Sequence, residues 1–157
     1  MIISHARADD LAGIVELERV GFDPGEQWSE TAWADELAAP DRYVLTRLDA
    51  ESRIIGVATF SCVAEIADLN RVIVHPAFRG RGIGASLIRA GLDWASAVGG
   101  HRMLLEVRPD NEPAVALYRG LGFGPVTTRR DYYGPDQHAL VMLRSLRAED
   151  AWAVECA

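Results

Sequence analysis

The sequence predicts a mixed α/β layered domain, with strands and helices on both sides of a glycine-rich segment at residues 79–84. Three observations carry this. Short apolar blocks bounded by turn residues read as strands, and the stretch after the glycines has apolar residues at helical spacing. The strands before the glycines are joined by short connections, which makes that run antiparallel. The length of 157 residues fits one compact domain, assigned to residues 1–147, with 148–157 as a loosely held tail.

Ile2 to Ala6 reads as a first strand. Asp9 and Asp10 open a helix bearing Leu11, Ile14, Val15 and Leu17, where acidic residues suit the positive end of the helix dipole. Phe22-Asp23-Pro24-Gly25 is turn chemistry, Ser29 is a candidate N-cap for a second helix through Trp33 and Leu37, and Pro40 ends that helix. Tyr43 to Leu48 and Arg53 to Ser61 read as strands around the polar loop 49–52. Ile66 to Val74 is a further strand, interrupted by Asp68, Asn70 and Arg71 and ended by His75-Pro76. Past the glycines, Ile83, Leu87, Ala90, Gly91, Trp94 and Val98 mark an inward helix face, stopped by Gly99-Gly100. Arg102 to Val107 is a strand and Glu112 to Leu121 a short helix with Gly122 at its C-cap. Strands near Val126 to Arg130 and Ala139 to Arg144 complete the domain.

Composition narrows the function classes. A hydrophobic fraction of 49% supplies a core, and 25% charged residues is ordinary for a globular chain. The formal net charge of -7 argues against general affinity for nucleic-acid backbones or anionic membranes, and makes an amine or a basic peptide the more comfortable partner. Cys62 and Cys156 have no metal or redox spacing, so a reducing compartment is expected. His5, His75, His101 and His138 have no metal spacing either, and no metal is expected. The first ten residues lack an apolar signal core, and no apolar run approaches the roughly 20 residues of a membrane helix, so the expected location is cytoplasmic.

The densest signal is Arg79-Gly80-Arg81-Gly82-Ile83-Gly84. Glycines at every second position between a strand and a helix let the backbone approach a ligand closely, and the helix beginning near Gly82 points N–H groups at it. Such a terminus attracts phosphate, and Arg79 and Arg81 add charge of the correct sign. A Walker loop is excluded because Gly84 is followed by Ala85-Ser86, and a Rossmann fingerprint because the spacing is G-x-G-x-G in mid-chain. A plain glycine-rich turn is the alternative.

With its neighbours, this segment resembles a known family. Arg79 to Gly84 is similar to the coenzyme A pyrophosphate loop of the GCN-five-related N-acetyltransferases, the GNAT superfamily. Leu69 to Pro76 resembles that family's fourth strand, and Asn111 to Phe123 its N-x-x-A-x-x-L-Y-x-x-x-G-F signature. The resemblance implies a mixed, mostly antiparallel sheet of about six to seven strands flanked by about four helices. It also implies acetyl-coenzyme A as co-substrate, with no metal. Trp28-Ser29-Glu30, Leu105-Glu106-Val107-Arg108 with Asn111, and Arg129-Arg130-Asp131-Tyr132-Tyr133 resemble the RimI branch, which acetylates the N-terminal alanine amine of a small-subunit ribosomal protein. That branch implies a protein N-terminal peptide as partner, without direct contact to nucleic acid or membrane. A small-molecule amine acetyltransferase and a non-catalytic coenzyme A-binding domain are the alternatives.

Acyl transfer from a thioester to an amine needs a proton acceptor, since an α-amine has a reference pKa of about 7.7–8.0. It also needs a proton for the leaving thiolate. Glu106, a carboxylate interrupting an apolar strand, is the candidate base; its alternative is an ion pair with Arg108 or Arg102. Tyr118 is the candidate acid, placed by the resemblance beside the thioester sulfur; its alternative is core packing with Leu117 and Leu121. The resemblance assigns the coenzyme to the backbone of Val72, Ile73 and Val74, to Arg79, Gly80, Arg81, Gly82, Ile83, Gly84 and Ala85, and to Asn111 and Tyr118. Asn111 is equally suited to cap a helix. Trp28, Glu30, Asn70, Tyr132 and Tyr133 are the candidates to frame the amine-bearing peptide, with packing around the second helix as the alternative for Trp28.

Overall fold

The computed structural model describes residues 2–147. In chain order the elements are β1 (Ile3–His5), α1 (Leu11–Gly21), α2 (Glu30–Ala38), β2 (Arg42–Leu48), β3 (Ile54–Val63), β4 (Ile66–Val74), α3 (Ile83–Ala97), β5 (Arg102–Val107), α4 (Glu112–Gly120), β6 (Gly124–Gly134) and β7 (Gln137–Ser145). Seven strands hydrogen-bond in the order β1-β2-β3-β4-β5-β7-β6. The β1–β2, β2–β3, β5–β7 and β6–β7 ladders are antiparallel, and β4–β5 is parallel, as a connection through a helix requires. This is the layered α/β architecture with a mostly antiparallel sheet that the sequence predicts. The tail expected over 148–157 lies outside the described residues. No helix among the described residues is long and apolar enough to cross a membrane.

The described residues fall into two compact units, 2–61 with Leu69–Gly91, and Cys62–Asp68 with 92–147. The first has a core of Ile14, Leu17, Trp33, Val44, Val57 and Ile73, with Leu11, Phe22, Trp28 and Leu37 packed against it. Helix α1 supplies Ile14 and Leu17 at helical spacing. Helix α2 supplies Trp33 and starts where Ser29 accepts the Ala32 N–H at 3.0 Å, the cap the sequence predicts. Gly91 of α3 lies against the Phe60 ring; a Cβ there would stand 2.1 Å from Phe60 Cζ.

The second unit is built on β5 and β7. Met103, Leu105 and Val107 alternate inward along β5, and Ala139, Val141 and Met142 are buried on β7. Tyr118, Leu121 and Phe123 close the end of α4, where Gly122 adopts φ +91° as a C-cap glycine does.

Two expectations are corrected. The buried side of α3 carries Ile83, Leu87, Ile88, Gly91, Leu92 and Ala95, and Val98 lies beyond the helix and is exposed. The stripe through Trp94 and Val98 thus follows the apolar pattern about one position too far round the helix. Strand β6 extends from Gly124 to Gly134, well past the predicted end at Arg130. Every residue from Pro125 to Asp131 is exposed, so the hairpin has no apolar alternation to read. Asp131 has φ +54° within a register shift between Arg129 and Gly134, which further hides the strand from pattern.

Candidate functional site

The first unit carries the glycine loop. β4 ends in His75, whose Nδ1 accepts the Ala77 N–H at 3.0 Å and caps a 3-10 turn at Pro76–Phe78. Gly80 and Gly82 both lie in the left-handed region, at φ +79° and +77°, and nothing stands within 4 Å of where a Cβ would project. Their requirement is therefore backbone conformation, and the space in front of the loop is left open. Helix α3 begins at Ile83, with the Ser86 N–H bonded to Gly82 O at 3.0 Å, so the N–H groups of Ile83, Gly84 and Ala85 precede the first helical donor. Open left-handed glycines ahead of a helix of this length are a fit for a pyrophosphate. Arg81 stacks 5.1 Å from the Phe78 ring centroid. Arg79 is spent on the fold: it donates to Val74 O at 3.1 Å and to Gly21 O at 3.2 Å, pinning the loop to β4 and α1.

The peptide candidates of this unit are differently placed. Glu30 is exposed in the first turn of α2. Trp28 is half-buried, with its ring centroid 5.0 Å from that of Trp33, which is the packing alternative. Asn70 donates to Glu36 Oε1 at 3.0 Å and accepts from Ser61 Oγ at 3.4 Å, so its amide is committed within the unit. The same Glu36 oxygen accepts from Thr59 Oγ1 at 2.6 Å.

A second carboxylate in this unit went unread in the sequence. Glu18 of α1 is 1% exposed; Oε1 accepts from Trp33 Nε1 at 2.9 Å and from Arg71 Nε at 3.2 Å, and Oε2 accepts from the Arg71 guanidinium at 2.6 Å. Arg71 also donates to Glu26 O at 2.8 Å and lies 3.8 Å from the Phe22 ring centroid and 5.2 Å from that of Trp28. The signal was present. Glu18 falls four residues after Ile14 on an apolar helix stripe, and Arg71 interrupts an apolar strand. Two opposite charges out of pattern are what a buried pair looks like in sequence.

The second unit gathers Glu106, Tyr132 and Tyr133. Glu106 lies on β5 opposite Val141 of β7, which in turn opposes Thr127 of β6. Arg129, two residues beyond Thr127, donates to Glu106 Oε1 at 3.1 Å. The carboxylate thus has an arginine partner, contributed by β6 and not by the predicted Arg108 or Arg102. Arg108 instead donates to Gln137 Oε1 at 3.1 Å and stacks 4.2 Å from the Tyr133 ring centroid. Arg129 stacks 4.6 Å from the Tyr132 ring, and Tyr132 meets Tyr133 edge-on at 4.9 Å. Burial, then the Glu106 carboxylate, raise the Tyr132 phenol above its ordinary pKa; Arg129 opposes this and Asp68 adds to it. Tyr118 is buried on α4, edge-on to Phe123 at 6.1 Å, which is the packing alternative. Asn111 caps α4, its Oδ1 accepting the Ala114 N–H at 3.3 Å.

Asp131, Asp136 and His138 bring one ligand atom each within 4.8 Å of one another, although their spacing gave no hint of it. The hairpin engages two of these side chains: His138 Nδ1 accepts the Asp131 N–H at 3.0 Å, and Asp131 Oδ1 accepts the Asp136 N–H at 2.8 Å. Cys62 is half-buried, and burial followed by the Asp68 charge pushes its thiol up, away from a reactive thiolate.

The profile of the acetyltransferase (GNAT) family matches residues 10–123 and so runs through both units. The chain is 38% identical over 129 residues to the N-alpha-acetyltransferase RimI of Mycobacterium tuberculosis, covering 79% of this chain and 78% of that protein. It is 33% identical over 131 residues to the [ribosomal protein bS18]-alanine N-acetyltransferase of Escherichia coli, covering 83% and 86%. The crystal structure of the ribosomal-protein-S18-alanine N-acetyltransferase from Escherichia coli superposes with a TM-score of 0.83 at 26% identity, covering 92% of this chain and 93% of that one.

Proposed function

Because this chain belongs to the GNAT acetyltransferase family, we propose that its acetyl-coenzyme A-dependent N-acetyltransfer is directed to the N-terminal α-amine of a protein, the N-terminal alanine of a small-subunit ribosomal protein. The Mycobacterium tuberculosis relative is named for N-alpha-acetyl transfer and the Escherichia coli relative for acetylation of the alanine of ribosomal protein bS18, which supports the reading. On this reading residues 1–147 work as one acetyltransferase domain in the cytoplasm, where ribosomal proteins are made.

The observation that carries the peptide reading is a strand carboxylate, Glu106, joined through Arg129 to the Tyr132 ring, which meets Tyr133 edge-on. A cationic α-amine suits that surface through charge and through the ring faces. The pyrophosphate of the co-substrate is assigned to the backbone of Gly80 to Ala85, with Arg81 beside it. The Val72–Val74 backbone and Asn111 are assigned to the pantetheine arm, and Trp28, Glu30 and Asn70 to the peptide. Glu106 accepts the amine proton, directly or through a water, as the nitrogen attacks the thioester carbon. Tyr118 donates its hydroxyl proton to the departing sulfur. The net change is one C–N bond made and one C–S bond broken, with free thiol released.

The test is incubation with acetyl-coenzyme A and a peptide copying the N-terminus of ribosomal protein bS18, following thiol release and peptide mass together. One acetyl gained on the α-amine is expected, and Glu106→Gln and Tyr118→Phe are each expected to lower kcat by about 10²–10⁴. These 157 residues contain no lysine, so a mass gain on the enzyme itself is easily kept apart from substrate acetylation. Acetylation of free polyamines or amino acids in preference to N-terminal peptides overturns the peptide assignment. Coenzyme binding without any acetyl transfer overturns the enzymatic one.

A further inference from the structure

We infer that Arg71 is a positioning residue for the incoming peptide, acting by locking the 22–28 segment, and so Trp28, into one place; this rests on the peptide reading above. The guanidinium is engaged on every side. It makes a bidentate pair with Glu18, donates to the Glu26 carbonyl, and is bracketed by the rings of Phe22 and Trp28. All four of these partners lie at the C-terminal end of α1 or in the connection into α2: Phe22, Glu26 and Trp28 on the connection, and Glu18 one turn before it.

Stability is a poor account of this arrangement. A buried ion pair gives back in Coulomb attraction about what it loses in desolvation, and an apolar replacement of similar volume is often neutral or better. What an apolar side chain cannot do is fix direction. The planar fork matches the two Glu18 oxygens, and the third bond sets where the Glu26 carbonyl lies. Glu18 is itself held by Trp33 Nε1, so its carboxylate is a fixed anchor. The segment's own local restraints are a 3-10 turn at Pro24–Glu26 and the Gln27 amide, which donates to Phe22 O at 2.8 Å. These shape the segment internally; Arg71 joins it to β4.

The strand position gives the lock its purpose. Arg71 lies between Asn70, a peptide candidate, and Val72, the first residue of the backbone stretch assigned to the co-substrate. One side chain therefore ties the strand that carries those residues to the segment that carries Trp28. Removing it is expected to blur the peptide surface while leaving the glycine loop intact.

The experiment compares Arg71→Met, Arg71→Lys and Glu18→Gln with the unaltered protein in steady-state kinetics on the bS18 peptide, alongside thermal melting. Arg71→Met is expected to raise the peptide KM on the order of ten- to a hundredfold, with the acetyl-coenzyme A KM within about twofold. Arg71→Lys keeps the charge without the fork and is expected to fall between, as is Glu18→Gln, which keeps the shape without the charge. Leu17→Ala, in the same core but outside the lock, is the control: it is expected to lower Tm and leave the ratio of the two KM values unchanged. Equal changes in both KM values, or a peptide KM that follows Tm across all four variants, overturn the positioning role. An unaltered protein that fails on every N-terminal peptide overturns the functional reading and this inference with it. That outcome is recognised in the unaltered protein, before any variant is compared.

Discussion

Arg129 reaches diagonally across β7 to place its guanidinium 3.1 Å from the Glu106 carboxylate. The two strands that carry them are second neighbours, roughly 10 Å apart, so the pair needs both long side chains and the small Ala139 that faces Arg129 in the ladder. An α-ammonium approaching Glu106 meets a cation already there. Arg129 is half-exposed and can be displaced, and exposed pairs of this kind hold by only about 0–1 kcal/mol. Arg129→Gln is therefore expected to lower the peptide KM by up to about fivefold at low ionic strength, with the gap closing in high salt. A peptide KM that rises in Arg129→Gln would mean that the arginine contacts substrate instead of competing with it.

The loop glycines give a prediction of opposite selectivity. Gly82 has φ +77° and open space around its missing side chain, so an alanine there meets no clash but strains the backbone by about 1–2 kcal/mol. Either the loop keeps its shape and the protein is less stable, or it relaxes and the amide donors turn away. Gly82→Ala is expected to raise the acetyl-coenzyme A KM about tenfold, with the peptide KM little changed. This is the reverse of the pattern expected for Arg71→Met, so the two variants measured together separate the two binding surfaces.

Gly91 tests packing with the sign in dispute between two effects. In an exposed helix interior, alanine in place of glycine is favourable by about 1 kcal/mol. Here the added methyl would stand 2.1–2.5 Å from three atoms of the Phe60 ring, and Phe60 is fully buried. Overpacking of that kind costs about 1–3 kcal/mol and often more, because an aromatic ring in a close-packed core has nowhere to rotate. Gly91→Ala is expected to lower Tm by several degrees in calorimetry, at about 2–4 °C per kcal/mol for a chain of this size. An unchanged or raised Tm would show that Phe60 can shift.

The elements most legible in the sequence are those with one wet and one dry side. Helix α1, the Ser29 cap and strands β4 and β5 follow from periodicity and capping chemistry, because burial of one face writes itself into the pattern. Glu106 and the glycines stand out for a related reason, each being out of keeping with its surroundings, whereas Tyr118 is singled out by the family resemblance alone. The β6–β7 hairpin hid most. Its outward strand is exposed almost throughout, and its bend depends on positive φ at Asp131 and Asp136, which no spacing rule requires. The partners of the site's charges were equally hidden. Glu106 has Arg102 and Arg108 near it in sequence, but which arginine it meets is decided by strand order, and β7 inserts between β5 and β6. Arg71 and Glu18 are separated by 53 residues, and only the packing of α1 on β4 brings them together.

Two phenols provide a pH-dependent readout. Burial holds Tyr43 above the ordinary tyrosine value, and burial together with the Glu106 charge does the same for Tyr132. A folded-state pKa above the unfolded value means that the folded protein holds the phenolic proton more tightly. The stability tied to that proton is fully present below about pH 10, the reference for a free phenol, and is lost as the pH rises through the folded values. Absorbance near 295 nm is therefore expected to show late-ionising tyrosines, and Tyr132→Phe to remove one such component. Glu106→Gln removes a negative neighbour while leaving the partial desolvation of the ring in place, so it is expected to move the Tyr132 component part of the way back toward the free value. If Glu106→Gln leaves that component in place, the carboxylate and the phenol do not share a field, and the grouping of Glu106 with Tyr132 at the amine-binding surface fails. If Arg129→Gln moves it further up, the guanidinium between them is confirmed as the opposing charge, since loss of a cation disfavours the phenolate.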